Sequence, residues 1–216
     1  MKKSIITLII FAFSLNSCEQ FRRTATYQNT ATTDVGVVIN GVRWATRNVD
    51  MPGTFVENSH DLGMLFQWNR IKGWNIADTE LDLDLEGWDN TDEVGTKWYA
   101  KNDPCPPDWR VPTREEFQSL LDARHNWTTF YNYGNARGHL FGTRRNQVFL
   151  PAAGFRREWN GWLHNVGYNG QYWSSTKFDD EHAISLSLLV GGSGRSAKKN
   201  VSGRSWGFSV RCVAIN

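Results

Sequence analysis

Residues 102–117 (NDPCPPDWRVPTREEF) constrain the fold of this chain more than any other stretch. Pro104, Pro106 and Pro107 each fix φ and restrict the residue before them, so the backbone around Cys105 is held extended. The chain therefore makes a rigid corner here before it can enter regular secondary structure.

A helix is predicted directly after this corner. Thr113 and Glu116 have the spacing of a capping box, in which the hydroxyl accepts from a free backbone N–H and the carboxylate reaches back to the cap. Phe117 and Leu120 then begin an apolar stripe with helical spacing. We expect the helix to run to about residue 124.

The corner and four further phrases together resemble the FISUMP family, the Fibrobacter succinogenes major paralogous domain. These phrases are residues 40–45 (NGVRWA), 149–154 (FLPAAG), 170–176 (GQYWSST) and 207–213 (GFSVRCV). The resemblance covers about residues 37–216. It implies a C-type-lectin-like fold in an exported bacterial protein, distantly similar to the formylglycine-generating-enzyme group, and it implies no established catalytic activity.

The N-terminal segment has the pattern of a bacterial lipoprotein signal. Lys2 and Lys3 precede an apolar run over residues 5–15, and Cys18 follows in a lipobox. The run is too short to span a bilayer as a helix. An ordinary cleaved signal peptide with an incidental cysteine is the alternative.

We therefore predict a signal peptide over residues 1–17, a lipidated Cys18 and a polar, flexible tether over residues 18–35. One domain follows over residues 36–216. The predicted location is the outer membrane, on its periplasmic or cell-surface face.

Charge gives no reason to expect a nucleic-acid partner. The chain has 24 basic and 22 acidic residues, and residues 1–17 hold two lysines and no acid, so the remainder is formally neutral. A basic cluster lies near the glycine-rich residues 191–194, and we interpret it as the solvated tip of a hairpin. Its members are Arg195, Lys198, Lys199 and Arg204.

With Cys18 assigned to lipid, Cys105 and Cys212 remain as the expected disulfide of an exported protein. They are 107 residues apart. A loop of that length allows a stabilisation of about 4.7 kcal/mol at most in the chain-entropy account.

Short strands are predicted elsewhere. Asn40 and Gly41 form a type I′ hairpin signal between two apolar triplets. Ile184, Leu186, Leu188 and Val190 alternate with Ser185, Ser187 and Leu189, as in a half-buried strand, and residues 206–212 alternate apolar with small or polar side chains in the same way. The predicted fold class is α+β, with a mostly antiparallel, loop-rich sheet and one or two helices.

The chain has 11 tryptophans. Trp44, Trp109, Trp173 and Trp206 lie inside or beside the family phrases, and we predict that they pack in the core.

Trp159 and Trp162 lie in a polar, glycine-containing segment, which suits a platform for a sugar ring. The alternative is that they cover the sheet. The predicted ligand-binding residues are Arg156, Trp159, Asn160, Trp162, Tyr168, Asn169, Tyr172, Asp179 and Asp180.

Residues 82–93 (DLDLEGWDNTDE) match part of the EF-hand loop spacing. The candidate Ca²⁺ ligands are Asp82, Asp84, Glu86 and Glu93. Against this reading, position 5 is a glutamate, position 8 is an aspartate and neither flank has helical periodicity. An ordinary family segment leading to the corner is the alternative, and the sugar-binding loop motifs of calcium-dependent C-type lectins do not occur.

Enzyme motifs are weak. The five histidines have no metal-ligand spacing, and the sequence contains neither Gly-x-Ser-x-Gly nor a phosphate-binding glycine loop. The late reactive cysteines of the formylglycine-generating relatives have no free counterpart, because Cys212 is expected in the disulfide. We predict no enzymatic activity.

The predicted function is that of a non-catalytic, lipid-anchored envelope protein whose lectin-like domain binds a glycan or a surface protein. The alternatives are a structural or adhesive part of a surface assembly such as a fimbrial tip and, more weakly, a hydrolase or oxidase.

Overall fold

The computed structural model describes residues 32–78, 85–130, 135–191 and 194–215. Within them, fourteen strands, one α-helix and one short 3₁₀ helix form the secondary structure. The predicted signal peptide, Cys18 and most of the predicted tether lie outside the described residues. None of the described helices is long and apolar enough to cross a membrane.

The strands form three larger sheets and two short hairpins. The first sheet has the order β1-β2-β14-β5, with β1 Val37–Ile39, β2 Val42–Trp44, β5 Trp109–Arg110 and β14 Val213–Ala214. The second contains β6 His125–Phe130, β7 Ala136–Thr143 and β8 Asn146–Pro151, and the third contains β11 Asn169–Lys177, β12 His182–Gly191 and β13 Gly194–Gly203. The hairpins pair β3 Leu65–Phe66 with β4 Gly73–Trp74, and β9 Phe155–Arg156 with β10 Leu163–His164.

All of these strand pairs are antiparallel. The α+β, mostly antiparallel architecture predicted from the sequence is therefore confirmed at that level. The predicted turn between β1 and β2 also forms: Asn40 and Gly41 both have positive φ, 48° and 84°, as a type I′ turn requires.

Helix α1, Arg114–Leu121, begins with the predicted capping box. The Thr113 hydroxyl accepts from the backbone N–H of Glu116, and the Glu116 carboxylate accepts from the backbone N–H of Thr113 at 2.7 Å. The helix is shorter than predicted, because Asp122 is its C-cap and the chain enters β6 only three residues later. Pairing with β7 begins at His125, which the local sequence does not signal.

The corner before α1 is held by a carboxylate and a disulfide. Asp103 accepts from the backbone N–H groups of Cys105 and Val111, and its burial raises the pKa of that carboxyl. Cys105 and Cys212 are joined as the sequence predicts, with Cα atoms 6.1 Å apart. The terminal segment is thereby tied to the start of the helix.

The core has two apolar clusters. One lies around α1, β7, β8 and one face of the third sheet, and includes Trp44, Phe117, Phe141, Tyr172 and Leu186. The other is rich in tryptophan and includes Trp68, Trp98, Trp109, Trp173 and Phe208. Trp44, Trp109 and Trp173 are buried as predicted, whereas Trp206 is only partly buried.

Two predicted strands differ from expectation. Strand β12 forms, but Ser185 and Ser187 are buried as well as the leucines, so both of its faces are covered. Residues 206–212 form no regular strand in the described structure. They run through the interior as an extended segment that makes isolated bridges, including Phe208 to Phe66 and Ser209 to Tyr172.

The prediction that the basic cluster is solvated is wrong for Arg204. Arg204 is buried, with its guanidinium 4.4 Å from the ring centre of Trp68, and it donates to the carbonyl of Glu93 at 2.8 Å. This arginine holds loops together, whereas Lys198 and Lys199 are exposed on β13.

Candidate ligand-binding pocket

A pocket of about 370 Å³ lies against the third sheet, on the face opposite Tyr172 and Leu186. This volume is at the lower end of the roughly 300–1,000 Å³ usual for small-molecule sites. Its lining comes from the β9–β10 hairpin, the third sheet and the segment after β13. The lining residues are Phe155, Glu158, Asn169, Gln171, His182, Asn200, Val201, Ser202, Gly203, Trp206 and Phe208.

Backbone bonds bring the hairpin to the sheet. The N–H of Arg156 donates to the carbonyl of Gly207 at 2.8 Å, and the N–H of Gly207 donates back at 3.0 Å. This bridge sets Phe155 beside Trp206, with ring centres 5.3 Å apart. Trp159 meets Trp206 edge to face at 6.4 Å, and its side chain is 51 % exposed. An aromatic wall of Phe155, Trp206 and Trp159 therefore runs from the pocket to the surface.

Glu158 is fixed in this wall by hydrogen bonds. Its Oε2 accepts from the indole Nε1 of Trp206 at 2.7 Å, and its backbone carbonyl accepts from the indole of Trp88 at 2.7 Å. A Cβ at Gly203 would lie 3.1 Å from Trp206 and 3.2 Å from the Glu158 carboxylate. Glycine at the end of β13 therefore leaves room for this pair.

Amides and hydroxyls form the sheet side of the pocket. The Nε2 of Gln171 donates to Asn169 Oδ1 at 3.1 Å and to Ser187 Oγ at 2.9 Å. The Oε1 of the same amide is buried and accepts no hydrogen bond from the described residues. Because a buried acceptor without a donor costs free energy, this oxygen is a candidate contact for a ligand donor.

His182 lies at the end of β12, where Asp179 positions it. The Nδ1 of His182 lies 2.8 Å from Asp179 Oδ1, which also accepts from the backbone N–H of His182 at 2.7 Å. The bond to His182 lowers the pKa of the Asp179 carboxyl. The predicted residue Asp179 therefore acts behind the pocket, through a histidine that the sequence reasoning did not select.

The structure brings some predicted ligand residues to this pocket and leaves others away from it. Asn169 lines it, and Trp159 extends its aromatic wall. Asp180 pairs with Lys177 at the surface. Tyr168 is 57 % exposed but stacks with Arg137, outside the lining.

Trp162 also lies outside the lining residues. It is half-buried, and its backbone N–H donates to Asn160 Oδ1 at 3.1 Å.

The prediction of ligand binding is wrong for Arg156, Asn160 and Tyr172, because their side chains are buried. Arg156 donates to the carbonyls of Gly161, Asn75 and Asp78, so its charge holds three loop segments. Asn160 is buried in the turn between β9 and β10. The terminal nitrogens of Arg156 and the Oδ1 of Asn160 are therefore bonded to the protein itself.

Tyr172 is fully buried in a polar network of the core. Its hydroxyl donates to the Pro151 carbonyl at 2.7 Å and accepts from Asn48 at 3.3 Å, while Arg211 donates to Asn48 Oδ1 at 2.7 Å. Burial raises the pKa of Tyr172 to about 12 and lowers that of Arg211 to about 10. This tyrosine is structural because period-two alternation places it on the core face, opposite Gln171.

Two of the four candidate Ca²⁺ ligands, Asp82 and Asp84, lie outside the described residues. Glu86 is exposed, and Glu93 Oε2 lies 3.9 Å from Arg70 Nε. Asp89 in the same segment also pairs with Arg70, and that hydrogen bond lowers its pKa to about 2. In the described part of the chain, no three His, Cys, Asp or Glu side chains are grouped to hold a metal ion.

Sequence reasoning missed Phe155, Glu158, Gln171, His182 and Trp206. A signal existed for Gln171, because it alternates with an apolar neighbour and therefore lies on the opposite sheet face. Trp206 had none, since its spacing from Phe208 is equally typical of a core strand.

Comparisons of the chain with models of protein families, with curated proteins and with solved structures found no match.

Proposed function

We propose that this protein binds a carbohydrate, without catalysing its reaction, in the pocket lined by Trp206 and Gln171. The observation that carries the proposal is the pairing of an aromatic wall with amide and hydroxyl groups on the facing sheet. The apolar face of a sugar ring packs on aromatic side chains, while its hydroxyls need several hydrogen-bonding partners.

Binding is favoured over hydrolysis by the composition of the pocket. Among the described lining residues, Glu158 is the only carboxylate, and it is already bonded to Trp206. Glycoside hydrolases in general use two facing carboxyl groups. Asp179 is held by His182 and does not line the pocket.

The wider setting is part of the same proposal and rests on the sequence. It comprises membership of the FISUMP family, a C-type-lectin-like fold within the observed α+β architecture, and a lipid anchor at Cys18. It also includes an outer-membrane location, on the periplasmic or cell-surface face. A glycan or protein displayed on a cell envelope is the partner expected of such an arrangement.

The test is a glycan array probed with the purified full chain, with calcium and again with a chelator. We expect reproducible binding to at least one glycan class in both conditions. Loss on chelation would instead assign recognition to the acidic segment that contains Glu86 and Glu93. Silence in both conditions would overturn carbohydrate binding and favour a structural or adhesive role in a surface assembly.

Substitutions then identify the site. Trp206→Ala and Trp159→Ala should each weaken binding about tenfold or more, since a tenfold change corresponds to about 1.4 kcal/mol of lost contact. Tyr168→Ala is the matched control, because this exposed aromatic lies outside the pocket. Equal losses in all three variants would show that the pocket is not the site, provided that urea unfolding shows each variant to be stably folded.

A further inference from the structure

The charge of the pocket is one-sided. Of the described residues that line it, Glu158 is the only one with a formal charge at neutral pH, and His182 is the only other titratable side chain. No Lys or Arg nitrogen of the described residues lies within ion-pair distance of the Glu158 carboxylate. The neighbouring guanidinium of Arg157 is instead placed over the Trp159 ring, at 5.2 Å from its centre. The carboxylate therefore presents an uncompensated negative charge at the pocket.

Aromatic rings line the same pocket as this carboxylate. Glu158 is bonded to the edge of Trp206 through the indole N–H, and the Phe155 and Trp206 rings are inclined to each other by 47°. A carboxylate together with ring faces attracts a cation twice, through its charge and through the quadrupoles of the rings. A neutral ligand gains only the packing on the rings, and an anionic ligand is repelled by the carboxylate.

The unpartnered amide oxygen indicates which cation fits. Gln171 lines the pocket at 6 % exposure, and its Oε1 accepts no hydrogen bond from the described residues. A primary ammonium carries three N–H donors and can serve several acceptors at once, whereas a quaternary ammonium carries none. An acetylated amine keeps one donor but loses its charge.

From these three features we propose that the carbohydrate bound here carries a free primary amine, and that Glu158 recognises the ammonium group. The ligand class is that of glycans with unacetylated amino sugars. This inference rests on the proposed function, since it names the sugar chemistry selected by the same pocket.

One nearby charge has the opposite sign. Lys198 pairs with Ser187, so its side chain belongs to the same sheet face as the pocket, but it is exposed and does not line the pocket. A ligand with carboxylates would be selected if Lys198 governed recognition. The experiment therefore includes an anionic sugar.

The test is a titration of the full chain with four tetrasaccharides, β-1,4-linked or equivalent, of glucosamine, N-acetylglucosamine, glucose and galacturonic acid. Binding is measured by tryptophan fluorescence and by calorimetry. We expect the glucosamine oligomer to bind about tenfold more tightly than the glucose and N-acetylglucosamine oligomers, the effect of one desolvated ion pair. The preference should decrease as the ionic strength is raised.

Glu158→Gln keeps an oxygen that can accept from Trp206 and removes the charge. It should abolish the preference for glucosamine, while Asp180→Asn, which removes an exposed carboxylate outside the lining, should leave it unchanged. In the unmodified protein, the difference in affinity between the glucosamine and N-acetylglucosamine oligomers tests recognition of the free amine without any variant.

The possible failures are distinguishable. Equal binding of the glucose and glucosamine oligomers, or a preference for galacturonic acid, would overturn the amine inference and leave carbohydrate binding standing. Binding to other sugars on the array, without binding to the glucosamine oligomer, would also overturn the amine inference and leave carbohydrate binding standing. Silence of all four oligosaccharides together with a silent array would overturn both.

Discussion

The two faces of the third sheet are both covered, yet they differ in chemistry. On one face, Tyr172, Leu186 and Leu188 pack against helix α1 and the second sheet. On the other, Gln171 and Ser187 share a hydrogen bond at the edge of the pocket. Burial alone therefore does not identify the role of a residue in β11 or β12; the partner that covers it does.

The difference follows from what covers each face. The core face is met by apolar side chains that fill the space between sheet and helix. The other face is core at Trp173, which stacks on Phe208, but beside Trp206 and the β9–β10 hairpin it leaves a pocket of about 370 Å³. We expect substitutions on the first face to change stability, and substitutions at the pocket end of the second face to change binding.

The largest expected effect is on the core face. Leu186→Ala should lower the free energy of unfolding by about 2–5 kcal/mol, because it leaves a cavity at a fully buried site. Urea denaturation measures this loss. Leu189→Ala, three residues later on the same strand and only partly buried, is the control and should cost about 1 kcal/mol. Equal losses would break the distinction between the faces.

A second prediction concerns how stability depends on pH, and it involves a polar residue on the core side. His139 on β7 is fully buried beside Trp127 and Phe141, and neither ring nitrogen has a partner among the described residues. Burial, with a smaller contribution from His125, lowers its pKa from 6.5 to about 4.

Because the folded-state pKa of His139 is the lower one, stability is complete above pH 6.5 and is lost as the pH falls towards 4. The difference corresponds to about 3 kcal/mol. Urea unfolding at pH 7.5 and pH 4.5 should show most of this loss, and His139→Phe should remove much of it. His60→Gln, in a surface turn, should keep it. An unchanged pH dependence in His139→Phe would assign the loss to other groups.

The smallest change in stability is expected on the pocket face. Gln171→Met removes the unpartnered oxygen and the two hydrogen bonds of the amide at similar volume, so unfolding should change by no more than about 1 kcal/mol. Glycan binding should nevertheless fall about tenfold. Gln118→Met, on helix α1 and outside the pocket, should leave binding unchanged. Destabilisation of Gln171→Met without a loss of affinity would make Gln171 a core residue.

The sequence predicted local features well where the cause was local. The Asn40–Gly41 turn and the capping box of Thr113 and Glu116 depend on residues within four positions of one another. The same reasoning failed at the end of α1 and for residues 206–212. There, the outcome depends on pairing with strands far away in the chain.

The candidate site was predicted only in part, for the same reason. Trp159 and Asn169 were selected because they lie in a polar, aromatic segment, and they do lie at or beside the pocket. Arg156 and Tyr172 were selected on the same grounds, but the fold uses them inside. Trp206 was assigned to the core, because nothing in its neighbourhood shows that its ring stops at a cavity.

The sequence was enough to predict the α+β class, the hairpin turn, the helix start and the pairing of Cys105 with Cys212. The turn and the helix start depend on short-range geometry, and the cysteine pairing depends on there being few cysteines to pair. Tertiary contacts chose which part of the third sheet became core and which became pocket, since even Trp173, on the face of Gln171, packs in the core. Alternation separates the two faces of a strand, but it does not specify what packs on either one. That choice came from the bridge between Arg156 and Gly207, two residues 51 positions apart, which carries Glu158 to Trp206.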